Sequence, residues 1–93
     1  MKYELVYTPN FKRDLRQVQK RNLDMEALRM VLKLLQAGEK LPDRYKDHQL
    51  KGNMKQFREL HIQPDWLLIY IRNKKELILT LSRTGSHAEL LKK

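Results

Sequence analysis

The sequence predicts an α+β domain of two layers, with a helical hairpin on one face of an antiparallel sheet of four or five strands and a short C-terminal helix. Two segments in the first half repeat apolar residues at the helical period, and the second half alternates apolar and polar residues as strands do. A chain of 93 residues is long enough for one modest core. We therefore expect a single domain over residues 1–93, with the element order β-α-α-β-β-β-β-α.

Local signals predict the first strand and the helical hairpin. Residues 3–7 are rich in aromatic and branched side chains, which favour a strand. Thr8 can cap the first helix, and Pro9 suits its first turn, where no backbone hydrogen bond is lost. Asp24 is a candidate cap for the second helix, and Gly38 can adopt the left-handed conformation that ends it. The pattern predicts two consecutive helices joined by a short break.

The second half of the chain reads as an antiparallel meander. Pro64 and Asp65 lie between two alternating runs and predict a tight hairpin turn. Ser86 can cap a short final helix. The other predicted elements are a loop over residues 41–47, strands over 48–50, 57–63, 66–71 and 76–82, turns at 52–53, 73–75 and 84–85, and a helix over 87–91.

Alternation also predicts which strand residues face the helices. We assign to that face Leu60, Ile62, Leu67, Ile69 and Ile71. The opposite, open face then holds Glu59, His61, Trp66 and Tyr70. In the last strand Arg83 falls on the same face as the apolar Leu77, Leu79 and Leu81. Either the pairing ends or bulges before Arg83, or the faces of this strand are reversed.

The charge of the chain indicates an anionic partner. A net charge of +9, spread over the whole sequence, favours a polyanion such as a nucleic acid bound by a folded basic surface. No cysteine is present, which excludes disulfides and thiolate metal sites. We find neither a signal-peptide pattern nor an apolar run of membrane-spanning length. We expect a cytoplasmic protein with no membrane partner.

His61 and Asp65 flank the predicted hairpin turn and should lie close together. An imidazole beside a carboxylate on a basic domain is typical of sites that bind or cleave a phosphodiester. Three segments carry a recognisable pattern: residues 45–52, residues 57–70 and residues 83–91. Their residues, order and spacing resemble those of the RelE/ParE toxin superfamily, and within it the YafQ subgroup, over essentially the whole chain.

The resemblance implies a toxin of a type II toxin–antitoxin system that enters the ribosomal A site and cuts messenger RNA without a metal or other cofactor. The implied partners are an antitoxin protein, the ribosome and the message. The positions that match the family's active site are His48, His61, Asp65, Trp66, Arg83 and His87. Leu91 departs from the pattern, because the subgroup often has an aromatic residue there to position RNA.

RNA cleavage without metal needs a base for the 2′-hydroxyl, a cation for the phosphate and an acid for the leaving oxygen. We assign the acid to His87 and the phosphate contact to Arg83, and leave the base open among His48, His61 and Asp65. Trp66 can stack on a base or pack in the sheet. Lys51, Lys55 and Arg58 belong to a basic surface that can bind ribosomal RNA.

The sequence is also compatible with two other functions. A ParE-like toxin would inhibit a protein target without catalysis, and a plain RNA- or DNA-binding module would need only the charge. Neither requires three histidines and an aspartate at matching positions. A metal site is not expected, because the histidines are far apart in sequence and no close cluster of ligands accompanies them.

Overall fold

A computed structural model describes residues 2–90 and confirms the predicted architecture. Two short 3₁₀ turns are also present: Asp43–Tyr45 lies within the predicted loop, and Gly52–Met54 extends the predicted turn by one residue. The elements are β1 (Glu4–Tyr7), α1 (Pro9–Lys20), α2 (Met25–Ala37), β2 (His48–Gln49), β3 (Arg58–Gln63), β4 (Trp66–Asn73), β5 (Ile78–Gly85) and α3 (His87–Leu90). No helix within residues 2–90 is both long enough and apolar enough to cross a membrane.

The helix ends form where the sequence places them. Thr8 accepts a hydrogen bond from the Phe11 backbone N–H at 3.0 Å, and Asp24 accepts one from the Glu26 N–H at 3.0 Å. Each side chain thus satisfies a backbone donor that has no partner inside the helix. Gly38 ends α2 with φ of 75°, a conformation that costs glycine little.

The five strands form one sheet in the order β1-β5-β4-β3-β2. Strands β2 to β5 make the predicted antiparallel meander. The sheet is not wholly antiparallel as predicted, because β1 runs parallel to β5 at one edge. The helical hairpin carries the chain from β1 at one edge to β2 at the other, so the sheet is mixed.

The predicted faces of β4 are reversed. Trp66, Leu68 and Tyr70 point toward the helices and join the core with Phe11, while Leu67 and Ile69 lie on the open face. Leu60 of β3 is directly opposite Leu68, so the predicted face of β3 is correct. Alternation could not choose the face of β4 because its apolar residues occupy both sides, and both sides are buried.

The last strand begins later and runs further than predicted. Leu77 lies in the preceding turn with φ of 58° and is 39% exposed, so it is not a core residue. Thr84 and Gly85, predicted as a turn, continue β5. The register shifts once: Leu81 pairs with Tyr70, and Arg83 pairs with Ile69, which makes Ser82 the extra residue of a bulge. The bulge moves Arg83 out of phase with Leu81 and onto the face of Ile69.

Candidate active site

The strand register places three of the predicted site residues, His48, His61 and Arg83, on the open face of the sheet. His48, Glu59, Ile69 and Arg83 form one row across β2, β3, β4 and β5. The next row toward the β3–β4 turn begins with His61, followed by Leu67 and Gly85. Side chains in both rows therefore point to the same side, with apolar Leu67 and Ile69 as a buried floor between the polar ones.

Asp65 holds His87 in place. The carboxylate Oδ1 of Asp65 accepts hydrogen bonds from the His87 ring Nδ1 at 2.8 Å and from the His87 backbone N–H at 3.2 Å. Both hydrogen bonds lower the pKa of the exposed Asp65 side chain, and the bond from the ring has the larger effect. Asp65 lies in the turn after His61, as predicted, and its carboxylate hydrogen-bonds to the histidine of α3. The contact fixes the ring and leaves Nε2 as its free nitrogen.

The start of α3 is built to bring His87 close to the sheet. Ser86 and Glu89 form a reciprocal cap, in which Ser86 Oγ accepts from the Glu89 N–H and Glu89 Oε1 accepts from the Ser86 N–H. Glu89 also receives a hydrogen bond from Arg21 at 3.1 Å, which ties α3 to the end of α1. A Cβ on Gly85 would lie 2.8 Å from Glu89 Oε1, so a larger residue would displace the carboxylate that caps α3.

His61 is the nearest second imidazole. Its ring centroid is 5.4 Å from that of His87, in an edge-to-face arrangement. Within residues 2–90 the His61 side chain makes no hydrogen bond or ion pair. A cavity of about 370 Å³ lies beside it, lined in part by Arg44, Tyr45 and Pro64. His61 and His87 therefore lie side by side, and the cavity adjoins His61.

His48 has both ring nitrogens turned toward protein atoms. Nδ1 lies 2.7 Å from the Lys46 carbonyl oxygen, and Nε2 lies 3.3 Å from Glu59 Oε1. A carbonyl oxygen can only accept, so Nδ1 is the donor in the first contact. Glu59 is 7% exposed, and its other oxygen has no hydrogen-bond partner within the described residues. His48 is thus held at the β2 edge of the row.

Arg83 is anchored by a residue that the sequence analysis did not identify. Its Nε and Nη2 donate to the two carboxylate oxygens of Asp14 on α1, at 2.6 and 3.2 Å. Asp14 also accepts from the Thr84 backbone N–H at 3.1 Å. The Asp14 hydrogen bond raises the pKa of Arg83. The remaining guanidinium N–H groups have no partner within residues 2–90 and can contact a phosphate.

Trp66 does not lie on the open face. It is 1% exposed in the core, and its Nε1 donates to Thr84 Oγ1 at 2.8 Å. The Thr84 hydroxyl in turn donates to the Leu67 carbonyl oxygen at 2.7 Å. A buried indole N–H needs such an acceptor. The burial corrects the prediction that Trp66 could stack on a base, because neither ring face is accessible.

The predicted basic surface divides into two parts. Lys51 and Lys55 are exposed in the segment before β3. Arg58 instead lies on the helix side of β3, where its Nε is 3.3 Å from Asp47. Burial lowers the pKa of Arg58, but Asp47 and Tyr70 together outweigh burial, so the pKa is raised overall. Leu91 lies outside the described residues.

Asp14 and Glu59 are the site residues that sequence reasoning missed. Asp14 is 69 positions from Arg83 in the chain, and no local pattern links them. Glu59 carried a signal, since it alternates with His61 on the face assigned to the site. Within the part of the chain that the structure describes, no three His, Asp or Glu side chains are grouped as a metal site would require.

Comparisons with known proteins agree with this architecture. The family model described as "Bacterial toxin of type II toxin-antitoxin system, YafQ" matches residues 3–92. The mRNA interferase toxin YafQ of Escherichia coli K12 is 40% identical over 88 residues, which is 94% of each chain. YafQ in the E. coli DinJ–YafQ complex has a TM-score of 0.85 at 38% identity, over 95% of this chain and 97% of that one. A metal-bound toxin from Helicobacter pylori has a TM-score of 0.88 at 41% identity, over 95% and 98%.

Proposed function

The chain belongs to the YafQ family of type II toxin–antitoxin toxins, and from this premise we propose that it is an endoribonuclease that cuts messenger RNA in the ribosomal A site. The 40% identical relative is named an mRNA interferase, which supports the activity. The contact of His61 with His87, whose rings lie 5.4 Å apart at the open face that also carries the anchored Arg83, is the observation that carries the proposal.

The chemistry follows from the fact that RNA carries its own nucleophile. His61 takes the proton of the 2′-hydroxyl as its oxygen forms a bond to phosphorus. The bond from phosphorus to the 5′ oxygen breaks, and His87 gives that oxygen a proton through Nε2. Arg83 contacts the phosphoryl oxygens, where negative charge develops in the transition state. The products are a 2′,3′-cyclic phosphate and a 5′-hydroxyl end.

Among the three candidates for the general base, the contacts favour His61. Asp65 is occupied with both the ring and the backbone N–H of His87, so it acts as a positioning residue. His48 directs Nδ1 to Lys46 and Nε2 to Glu59. A general base must reach its proton directly or through one water molecule. Only His61 combines proximity to His87 with a ring that no other described residue engages.

The reaction as proposed requires no metal ion, because the protein supplies both proton transfers and a fixed cation. Because a similar toxin from Helicobacter pylori has been solved with bound metal, the metal requirement of cleavage needs a direct test. We expect cleavage to continue in the presence of a chelator that removes transition metals, with the Mg²⁺ that the ribosome needs restored. Loss of cleavage under these conditions, followed by recovery with Zn²⁺ or Cu²⁺, would contradict the proposal.

We propose that the partners are a cognate antitoxin, the ribosome and its message, and that the protein acts in the cytoplasm. YafQ of E. coli forms a complex with DinJ. A net charge of +9 favours an antitoxin with acidic segments that cover the basic surface. The same charge favours association with ribosomal RNA.

The decisive experiment measures cleavage of a translated message by primer extension in a reconstituted translation system. His87→Gln and His61→Gln should each lower the cleavage rate about 10²-fold to 10⁴-fold, since each removes a proton-transfer group. Lys33→Gln on the exposed face of α2 is the control and should cleave normally. The same message without ribosomes tests the dependence on translation.

Near-normal cleavage by His87→Gln would remove this residue from the acid role. Growth inhibition that persists in both histidine variants, without cleavage of any message, would favour a ParE-like toxin that acts on a protein target. Rapid cleavage of the free message would support the nuclease activity but would show that it does not depend on the ribosome.

A further inference from the structure

A strongly basic pocket lies on the helix side of the sheet, the face opposite to that of His61. Its cavity has a volume of about 620 Å³ and is lined by residues from the N-terminal segment, the end of α2, the following loop and strands β3 and β4. We call it the basic pocket. Its cationic lining residues are Lys2, Lys40, Lys46, Arg58, Arg72 and Lys74.

A chain of hydrogen bonds fixes the two arginines of the basic pocket. Arg72 Nη2 donates to the Tyr70 hydroxyl at 3.4 Å, and that hydroxyl donates to Asp47 Oδ1 at 2.7 Å. Arg58 Nε donates to the same Asp47 oxygen at 3.3 Å. Burial raises the pKa of Tyr70, so the phenol keeps its proton and the chain persists near neutral pH. Two guanidinium groups are thereby held in place before any ligand arrives.

Most of the positive charge in the basic pocket is not neutralised by the protein. Among its six cations, Arg58 alone forms an ion pair within residues 2–90. The other carboxylates that line the cavity are Glu39 and Asp43, which leaves five unpaired cations against two unpaired carboxylates. Charges of this density attract an anion, and guanidinium groups match the oxygens of a phosphate particularly well.

The basic pocket continues into a second cavity. Arg58, Arg72 and Lys74 also line an adjoining space of about 400 Å³, together with Lys55. The two cavities thus share their cations and form a continuous basic path across the ends of β3 and β4. A path of this kind suits a ligand with several phosphates in a row, whereas one acidic side chain would use only part of it.

The basic pocket is too far from His87 to contact the bond that is cut. Arg72 is six residues after Trp66 in β4, which corresponds to about 20 Å at the usual rise of a strand. Arg72 also lies on the opposite face from His61, because it shares the face of Trp66, Leu68 and Tyr70. A phosphate bound by Arg72 is therefore not the phosphate at His61 and His87.

We propose that the basic pocket binds backbone phosphates of a structured RNA segment outside the strand that is cut, and so anchors the protein to its RNA target. The inference rests on the proposed function in taking RNA as the ligand. Arg72 and Arg58 supply the fixed phosphate contacts, and the lysines supply attraction along the path. The anchor acts on affinity, while the histidines act on the chemical step.

The test measures binding of a fluorescently labelled RNA hairpin across a series of KCl concentrations, in the non-cleaving His87→Gln background. The double variant Arg72→Gln/Lys74→Gln should bind about 10-fold more weakly near 0.1 M salt. The slope of the logarithm of the association constant against the logarithm of the salt concentration is negative. It should become less steep by about one to two, as expected for one or two lost phosphate contacts. Arg29→Gln/Lys33→Gln on α2 loses the same charge and is the matched control.

An equal loss of affinity in both double variants would overturn the proposal, because total charge would then explain the binding. RNA binding that stays normal in the pocket variant, while its complex with antitoxin weakens, would make the pocket a protein interface and also overturn it. The single variant Arg72→Lys should keep the salt slope but recover only part of the affinity. These results are independent of whether His87 is the acid, because no cleavage is measured.

Discussion

The two faces of β4 are both buried, yet they are covered by different kinds of side chain. On the helix side, Leu68 and Tyr70 pack in an apolar core with residues of both helices. On the open side, Leu67 and Ile69 are equally buried, but their cross-strand neighbours are His61, Glu59 and Arg83. One face stabilises the fold, and the other supports polar groups over an apolar floor.

Three of the polar groups on the open face have a partner of opposite charge, whereas His61 has none within residues 2–90. A buried floor removes water from beneath these side chains, and a partner offsets part of that lost hydration. Arg83 has Asp14, His87 has Asp65, and His48 contacts Glu59. Substitutions on the two faces should accordingly affect different properties: the free energy of unfolding on the helix side and the rate of cleavage on the open side.

The largest effect on stability is expected from Trp66→Ala. The change removes a fully buried indole from the core and should lower the free energy of unfolding by about 3–5 kcal/mol. His61→Ala on the open face should change it by less than about 0.5 kcal/mol. Urea unfolding of both variants measures the contrast. A Trp66→Phe variant that is as stable as the wild type but does not cleave would show that the indole has a role in the site.

A smaller effect, on both properties, is expected from Asp14→Asn. The amide loses one of the acceptors that hold Arg83, so the guanidinium is less well positioned for phosphate. Stability should fall by about 1–2 kcal/mol, and cleavage should fall about 10-fold, equivalent to roughly 1.4 kcal/mol of transition-state stabilisation. Asp24→Asn is the control, since asparagine caps a helix as well as aspartate. Unchanged cleavage in Asp14→Asn would mean that Arg83 needs no anchor.

The smallest effect is the pH dependence of the contact between Asp65 and His87. Because His87 lowers the pKa of Asp65 in the folded state, the stabilisation is present above the ordinary aspartate pKa of about 3.9 and is lost as pH falls through the lower, folded value. Thermal unfolding of the wild type and Asp65→Asn between pH 6 and pH 3 should therefore differ most at pH 6 and converge on acidification. A difference that grows on acidification would contradict the assigned contact.

Features encoded by a few neighbouring residues could be predicted from the sequence. The caps at Thr8 and Asp24, the glycine that ends α2 and the turn at Pro64 depend on local backbone chemistry, and each forms as expected. The face of β4 could not be predicted, because both of its sides are apolar and only tertiary packing distinguishes them. The partner of Arg83 could not be predicted either, since Asp14 is distant in sequence.

The parallel pairing of β1 with β5 sets an order of events during synthesis. Residues 4–7 have no strand partner until residues 78–81 exist, and the Thr8 hydroxyl that caps α1 also donates to the Ser82 carbonyl oxygen. A ribosome delivers the N-terminal segment first, so the growing chain holds an unpaired first strand and an incomplete site until its last strand emerges. We propose that the protein acts on translating ribosomes. Its own site therefore forms only after most of its chain has been translated.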